Sequence, residues 1–548
     1  MRQGKENPHV RLRMQDIPAL ETLKELVRFV AERYEDETAF VIPRKGGKEA
    51  EKSFRAFSDD IVALGTALFR QGLKDSRIAI LGGNSYEWII SYFAAANGGN
   101  TAVPLDKDLL AGDLIPLIEG SGCTALIYSP EYADMIPCFQ SGTSLRRYIR
   151  MDEMENMLTE GRQLAQEGDS SYADYPLSPD NLAAIIYTSG TTGKSKGVML
   201  THRNIASNAA STCRMVSGAG RVVLALPLHH TFGLLVGVII PLMYCGRTYL
   251  SRSVRNVQKD MVKLRSTVAI LVPAIVEVVY RKMWETAERK GSADKMRRGL
   301  KLSRVLLKLG IDVRRKLFKE VHDALGGELY LIVCGGAPIN ERMIADFCAM
   351  GMDLLNGYGI TECSPVVSVN PNRGNRIGSV GLPLDCCRVR IDDGEIQVKG
   401  DNVTAGYYGD DPATKAAFTE DGWFKTGDLG YLDRDGYLYV TGRIKHLIIL
   451  SNGKNVSPEE LEEKIKMMPG VNETAVYAQG DQIVAEIFAD REAGQDMEEQ
   501  IRNAIHGMNR NLPKYKQIAM IKFRDTEFPK TTTMKIKKHS IGGAENYD

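Results

Sequence analysis

At 548 residues the chain is too long for one hydrophobic core, and 43% hydrophobic with 25% charged residues excludes a disordered or fibrous protein. Its 70 lysines and arginines balance 69 aspartates and glutamates, which excludes the basic excess of a general nucleic-acid binder. Nine cysteines include no CxxC pair, so neither a disulfide framework nor a zinc site is expected, and a reducing, cytoplasmic setting is.

The N-terminal "MRQGKENPHVRLRM" is basic without a following apolar core and does not read as a signal peptide. Apolar spacing of three and four predicts helices over 21–34 and over 57–73, the second capped by Ser58. Runs at 77–82 and 100–105 read as buried strands around a helix, the strand–helix–strand signature of a parallel sheet. Similar strands at 124–129, 268–273 and 328–336 predict a large layered α/β body. Residues 222–246 carry no Lys, Arg, Asp or Glu, but Pro227, His229, His230 and Pro241 interrupt them, so a buried helix or tunnel wall is expected rather than a membrane span. Stretches 388–400 and 430–443 read as hairpins turning on Asp-Gly. Beyond them a strand over 473–489 and a helix over 497–512 predict a small α+β domain, dividing the chain into residues 1–444 and 445–548.

Four stretches carry chemistry. "YTSGTTGKSKGVMLTH" (187–202) ends its GKS like a P-loop, but the position five before Gly193 is Thr188, not glycine, and strands flank both sides. Its hydroxyls at Thr188, Ser189, Thr191 and Thr192, with Gly190, Gly193, Lys194 and Lys196, still suit a polyphosphate tail. In "LNGYGITECSPV" (355–366), Thr361 and Glu362 follow a glycine-framed aromatic, and a carboxylate beside hydroxyls suits Mg²⁺. Asp428 in "GWFKTGDLG" is placed to accept ribose hydroxyls, and "PKTTTMKIKK" (529–538) is a basic run. Singly, these have plainer readings as a hairpin tip, a surface carboxylate, a turn cap and a solvated tail.

Together and in this order they resemble the adenylate-forming superfamily of acyl-CoA synthetases, luciferases and peptide-synthetase adenylation domains. The matches are Tyr187 to Gly197, Tyr358 to Glu362, Thr426 to Asp428 and "GRIKHLI" from Gly442. The resemblance implies a large multi-layered N-terminal domain with parallel-rich sheets and a β-barrel-like subdomain, plus a small mobile α+β C-terminal domain. It implies a two-step ligase that joins a carboxylate to AMP and then passes the acyl group to the thiol of CoA, with ATP and CoA as co-substrates and Mg²⁺ as cofactor.

By motif position Lys535 bridges the carboxylate and α-phosphate, Glu362 and Thr188 hold Mg²⁺, and Thr361 touches the α-phosphate. Asp428 and Arg443 hold the ribose; Gly335, Gly336, Ala337, Pro338, Asn356, Gly357, Tyr358 and Gly359 frame the adenine. Lys445 is the hinge, and Gly453 in "LSNGKNV" approaches pantetheine. Met534 stands where the family commonly has glycine, and His446 where it often has an acid.

The segment 226–246 matches the acyl-pocket helix, with His230 near the carboxylate. Gly233, Gly237 and the uncharged wall favour a long apolar cavity. Residues 281–320 hold fourteen Lys/Arg against five Asp/Glu, interleaved with apolar residues at helical spacing, which suits peripheral association with the inner face of an anionic membrane and equally a plain solvated helix pair. A medium- to long-chain fatty acid–CoA ligase is the leading reading. A ligase for acyl carrier protein, or for an aromatic or alicyclic acid, is the alternative, and retention of Lys535 and Glu362 weighs against a non-catalytic acyl-binding homologue.

Overall fold

The computed structural model describes residues 17–188, 195–218, 220–251, 253, 256–451, 453–490, 496–531, 535–538 and 541. The first predicted helix forms as Leu23–Tyr34, with Thr22 and Glu25 in a reciprocal capping box. The second runs Phe54–Arg70, and its cap is Ser53, not Ser58: Ala56 N donates to Ser53 Oγ at 3.1 Å. The reason is packing, since Phe54 and Phe57 are both fully buried and draw the helix start toward the N-terminus.

Among the described residues two large sheets organise the body. In one, strands Leu331–Gly335, Val268–Leu271, Arg221–Leu224, Arg247–Leu250 and Thr38–Pro43 run parallel in that order, joined at one end by Asp353–Gly359, also parallel. In the other, Leu182–Thr188, Thr101–Pro104, Arg77–Leu81, Ala125–Tyr128 and Arg147–Arg150 are parallel, and Lys196–Thr201 returns antiparallel beside Leu182–Thr188. The βαβ reading thus holds: Arg77–Leu81 pairs with Thr101–Pro104 across the helix Tyr86–Asn97.

The uncharged stretch forms a buried helix over Thr231–Met243, with a π-helical turn at Leu235–Ile239. Such turns are single-turn insertions that often mark functional segments. Among the described residues no helix is long and apolar enough to cross a membrane.

The region expected to be barrel-like folds as a four-stranded antiparallel sheet, in the order Cys387–Asp392, Glu395–Gly400, Phe424–Leu432, Leu438–Arg443. Its first turn is the expected Asp-Gly, with Asp393 and Gly394 both at positive φ. Beyond it, the single strand expected at 473–489 is a hairpin, Val471–Gln479 and Gln482–Ala489, bent at Gly480 (φ 58°). Ile518–Arg524 joins it in parallel. Helices Pro458–Lys466 and Met497–Asn509 cover this sheet with a core of their own, including Leu461, Ile465, Val476, Ile487, Ile501 and Ile505.

Candidate active site

Several candidate residues lie at carboxyl ends of parallel strands, where open α/β sheets receive ligands. Thr188 closes Leu182–Thr188, and Gly336, Ala337 and Pro338 follow Leu331–Gly335. Thr361 and Glu362 follow Asp353–Gly359, and His229 and His230 lie beyond Arg221–Leu224. One glycine is required by close approach: a Cβ on Gly359 would meet Pro365 O at 2.0 Å. One on Gly335 would sit tightly, 3.2 Å from Gly357 O. Gly335 and Gly357 are also register partners, and the neighbouring Asn356 is buried.

Asp428 is the centre of the arrangement. Tyr358 Oη donates to its Oδ2 at 2.6 Å and Arg443 Nε to its Oδ1 at 2.7 Å. The pairing follows from sheet register, because Asp428 and Arg443 face each other on adjacent antiparallel strands. Burial, then the Asp428 carboxylate, pushes the Tyr358 phenol well above its ordinary value. For Arg443 burial opposes the charge, but Asp428 outweighs it and raises the guanidinium.

The phosphate-side candidates connect to this centre. Thr188 is the register partner of Lys196, whose ammonium lies 4.8 Å from the centroid of the Tyr407 ring. Tyr407 Oη donates to Glu362 Oε1 at 3.0 Å, and the Glu362 charge acts in turn on Arg443. Ser189, Gly190, Thr191, Thr192, Gly193 and Lys194 lie outside the described residues, as does Met534.

Lys535 comes from the other end of the chain. It sits on a hairpin in which Thr531 N donates to Lys535 O at 2.8 Å and Lys535 N to Thr531 Oγ1 at 3.2 Å. Its side chain keeps accessible surface yet has protein around it. Desolvation first, then Arg443, holds the ammonium below the usual lysine value, while Asp428 acts in the opposite sense. Lys535 also acts on His230, whose imidazole is held down to about 3 by burial, by His229 and by this lysine, against Asp106.

Lys535 is therefore within electrostatic reach of Asp428, Arg443 and His230, and Arg443 within reach of Tyr358 and Glu362. Gly453 stands apart: it is exposed in the turn joining Ile448–Ile449 to Asn455–Val456. The neighbouring Ser451 and Lys454 line a separate cavity of about 430 Å³ with Asp481, Lys514 and Tyr515. The apolar cavity against the Thr231–Met243 helix, lined by Tyr92, Ile186, Leu200, Leu234 and Ile239, measures about 10 Å³ and holds one water at most. This void is far smaller than the long cavity expected from the uncharged wall.

The AMP-binding enzyme family model matches residues 27–408, and the AMP-binding enzyme C-terminal domain model matches 445–542. The chain belongs to the AMP-binding enzyme family. Among similar proteins is the long-chain-fatty-acid–CoA ligase FadD15 of Mycobacterium bovis, 29% identical over 475 residues covering 81% of this chain and 77% of that one. Feruloyl-CoA synthase of Amycolatopsis sp. is 28% identical over 449 residues, covering 78% and 81%. The crystal structure of ATP-bound MatB from Rhodopseudomonas palustris superposes with a TM-score of 0.76 at 26% identity, covering 96% of this chain and 100% of that one.

In this AMP-binding enzyme the segment after Arg443 is tied to the C-terminal unit. Lys445 is exposed in the short turn Ile444–His446, and His446 Nδ1 lies 2.7 Å from Glu459 Oε1. Lys538, three residues past Lys535, bridges Glu459 and Glu462 at 3.1 Å each. Burial opposes the Glu459 charge, but His446 and Lys538 prevail and hold the carboxyl at about 2. Thus His446, which departs from the family pattern, and Lys538 both anchor on Glu459 of the helix Pro458–Lys466. Sequence reasoning missed Tyr407, Glu459 and Lys538; the departure at His446 was the one available signal.

Proposed function

We propose that this AMP-binding enzyme, an AMP-forming acid–CoA ligase, activates a medium- to long-chain fatty acid and transfers it to CoA. The observation that carries the reading is the meeting of Lys535, from the far C-terminus, with Asp428, Arg443 and His230 of the large body. When a carboxylate attacks the α-phosphate of ATP, negative charge builds on the pentacoordinate phosphorus, and preorganised cations lower that barrier most. Lys535 would stand between carboxylate and α-phosphate, with Thr361 beside the phosphate. Asp428 and Arg443 would grip the ribose, Gly335 to Pro338 and Asn356 to Gly359 the adenine, and Thr188 to Lys196 the polyphosphate.

The donor chemistry fits Mg²⁺, because the Glu362 carboxylate is oriented through one oxygen by Tyr407 and keeps the other for an ion. Thr188 and Glu362 would hold it, and it would neutralise phosphate charge. Pyrophosphate leaves, the CoA thiol then attacks the acyl carbon, and AMP leaves. Between the two steps residues 445–548 rotate about Lys445 as a domain distinct from 1–444, withdrawing Lys535 and presenting Gly453 to pantetheine.

The acid is drawn from an anionic membrane face. On helix Ala293–Lys308 and just beyond it, Leu302, Val305 and Leu309 are 48%, 56% and 68% exposed. Lys295, Lys301 and Lys308 on that helix have no ion-pair partner among the described residues. Exposed apolar side chains among unneutralised cations suit an interfacial helix.

A second reading, an aromatic or alicyclic acid, is favoured by the small apolar cavity and by the similarity to feruloyl-CoA synthase. A pyrophosphate-release screen across fatty, aromatic and sterol-type acids decides between them: preference for chains of medium or greater length supports the proposal, and preference for ring acids replaces it. CoA against acyl carrier protein in the same assay fixes the acceptor.

A further inference from the structure

Beside the cleft, the ends of two strands bring His230 together with two groups, Asp106 and His229, that the ligase reading leaves unused. Asp106 follows Thr101–Pro104, and His229 and His230 follow Arg221–Leu224, so the two sheets contribute to one cluster. We propose that Asp106, His229 and His230 form a binding site for a divalent transition-metal ion of the zinc type, and that filling it arrests adenylation.

The ligand atoms of the three side chains lie within 4.8 Å of one another. His229 Nε2 is 3.4 Å from Asp106 Oδ1. Two ligands at about 2.0–2.1 Å from one tetrahedral ion stand about 3.4 Å apart, so this pair already has the required spacing. The His230 ring centroid is 4.3 Å from that of His229, and a small movement of the less buried His230 completes the set.

A second observation concerns the hydrogen bonding of His229. It is 5% exposed, and its buried Nε2, 3.4 Å from Asp106 Oδ1, makes no hydrogen bond with that oxygen or with any other group among the described residues. Native folds rarely leave a buried polar atom so. A metal ion would satisfy that lone pair. Two imidazoles and one carboxylate with an open fourth position are a common donor set for zinc, whereas Mg²⁺ selects oxygen. The site therefore discriminates against the ion proposed for the phosphates.

The surroundings explain the arrest. Asp108 and Lys107 lie near His229 with opposing charges. Lys535 acts on His230, so a dication here repels the lysine and takes the histidine that the resemblance assigns to the carboxylate. The metal site stands without the proposed reaction; the arrest rests on it.

The test uses the full-length chain freed of metal by chelation and titrated with Co²⁺, whose visible bands report coordination directly. The expected result is about one equivalent bound in a site with nitrogen and oxygen donors and displaced by Zn²⁺. Asp106→Asn and His229→Gln, each shown folded by near-UV circular dichroism, should weaken binding about tenfold or more. Zn²⁺ should inhibit pyrophosphate release by the wild type, and both variants should resist it. Absent Co²⁺ bands, or bands unchanged in both variants or dominated by thiolate charge transfer, overturn the site. Co²⁺ binding lost in both variants without Zn²⁺ inhibition of the wild type overturns the arrest alone.

Discussion

Asp428 in the large body is clamped from two strands by Tyr358 and Arg443, at 2.6 and 2.7 Å, whereas Lys535 rides on a hairpin near the C-terminus and reaches the same centre from outside the large sheets. The first group is fixed by sheet register, the second by how the C-terminal unit docks. Arg281 on one side meets Asn472 on the other, and Glu463 lies within electrostatic reach of Glu277 and Glu341 of the large body. Under the proposed function the difference is a division of labour: the groups assigned to nucleotide sit on a stiff frame, and the lysine assigned to chemistry sits on the unit proposed to move.

That contrast breaks most visibly at the hinge. Lys445→Pro restricts φ in the turn Ile444–His446 and should cut thioester formation by on the order of a hundredfold while leaving adenylation within a few-fold. Separate assays of the two half-reactions check this, and equal rates to wild type in both would remove the hinge from Lys445.

Asp428→Asn tests the stiff side. Losing a charged partner for Arg443 and Tyr358 costs about 1.5–3 kcal/mol, so the KM for ATP should rise roughly 10- to 100-fold with little change in thioester formation from preformed acyl-adenylate.

The docking itself is sharpened by pH. Burial first, then Glu341 and Glu277, raises the Glu463 carboxyl to about 7 from an ordinary 4.5, against Lys466. A raised carboxyl favours docking fully below its free value and loses that contribution as pH rises through its docked value. Between pH 5 and 7.5 the ratio of adenylation to thioester formation should fall a few-fold in the wild type, and Glu463→Gln should flatten that fall.

Much of this was legible in one dimension. Alternating strands and helices gave the parallel sheets, and motif order singled out Asp428, Arg443 and Lys535, which the structure brings near one another. What was hidden depends on packing across distance. Tyr407 reaches Glu362 over 45 residues, and no spacing rule encodes that. Ser53 displaced Ser58 as a cap because Phe54 needed burial. The bend at Gly480 falls in the polar stretch Gln479–Gln482, a turn signal that a single strand over 473–489 passes over. An uncharged wall around Thr231–Met243 shows that a surface is apolar, not whether it stands open.

The most direct measurement compares Lys535→Ala with the wild type in both half-reactions. The account predicts acid-dependent ATP–pyrophosphate exchange reduced by roughly 10²–10³-fold, with conversion of synthetic acyl-adenylate and CoA to acyl-CoA nearly unchanged. Equal loss in the two halves, or exchange that survives intact, would contradict it.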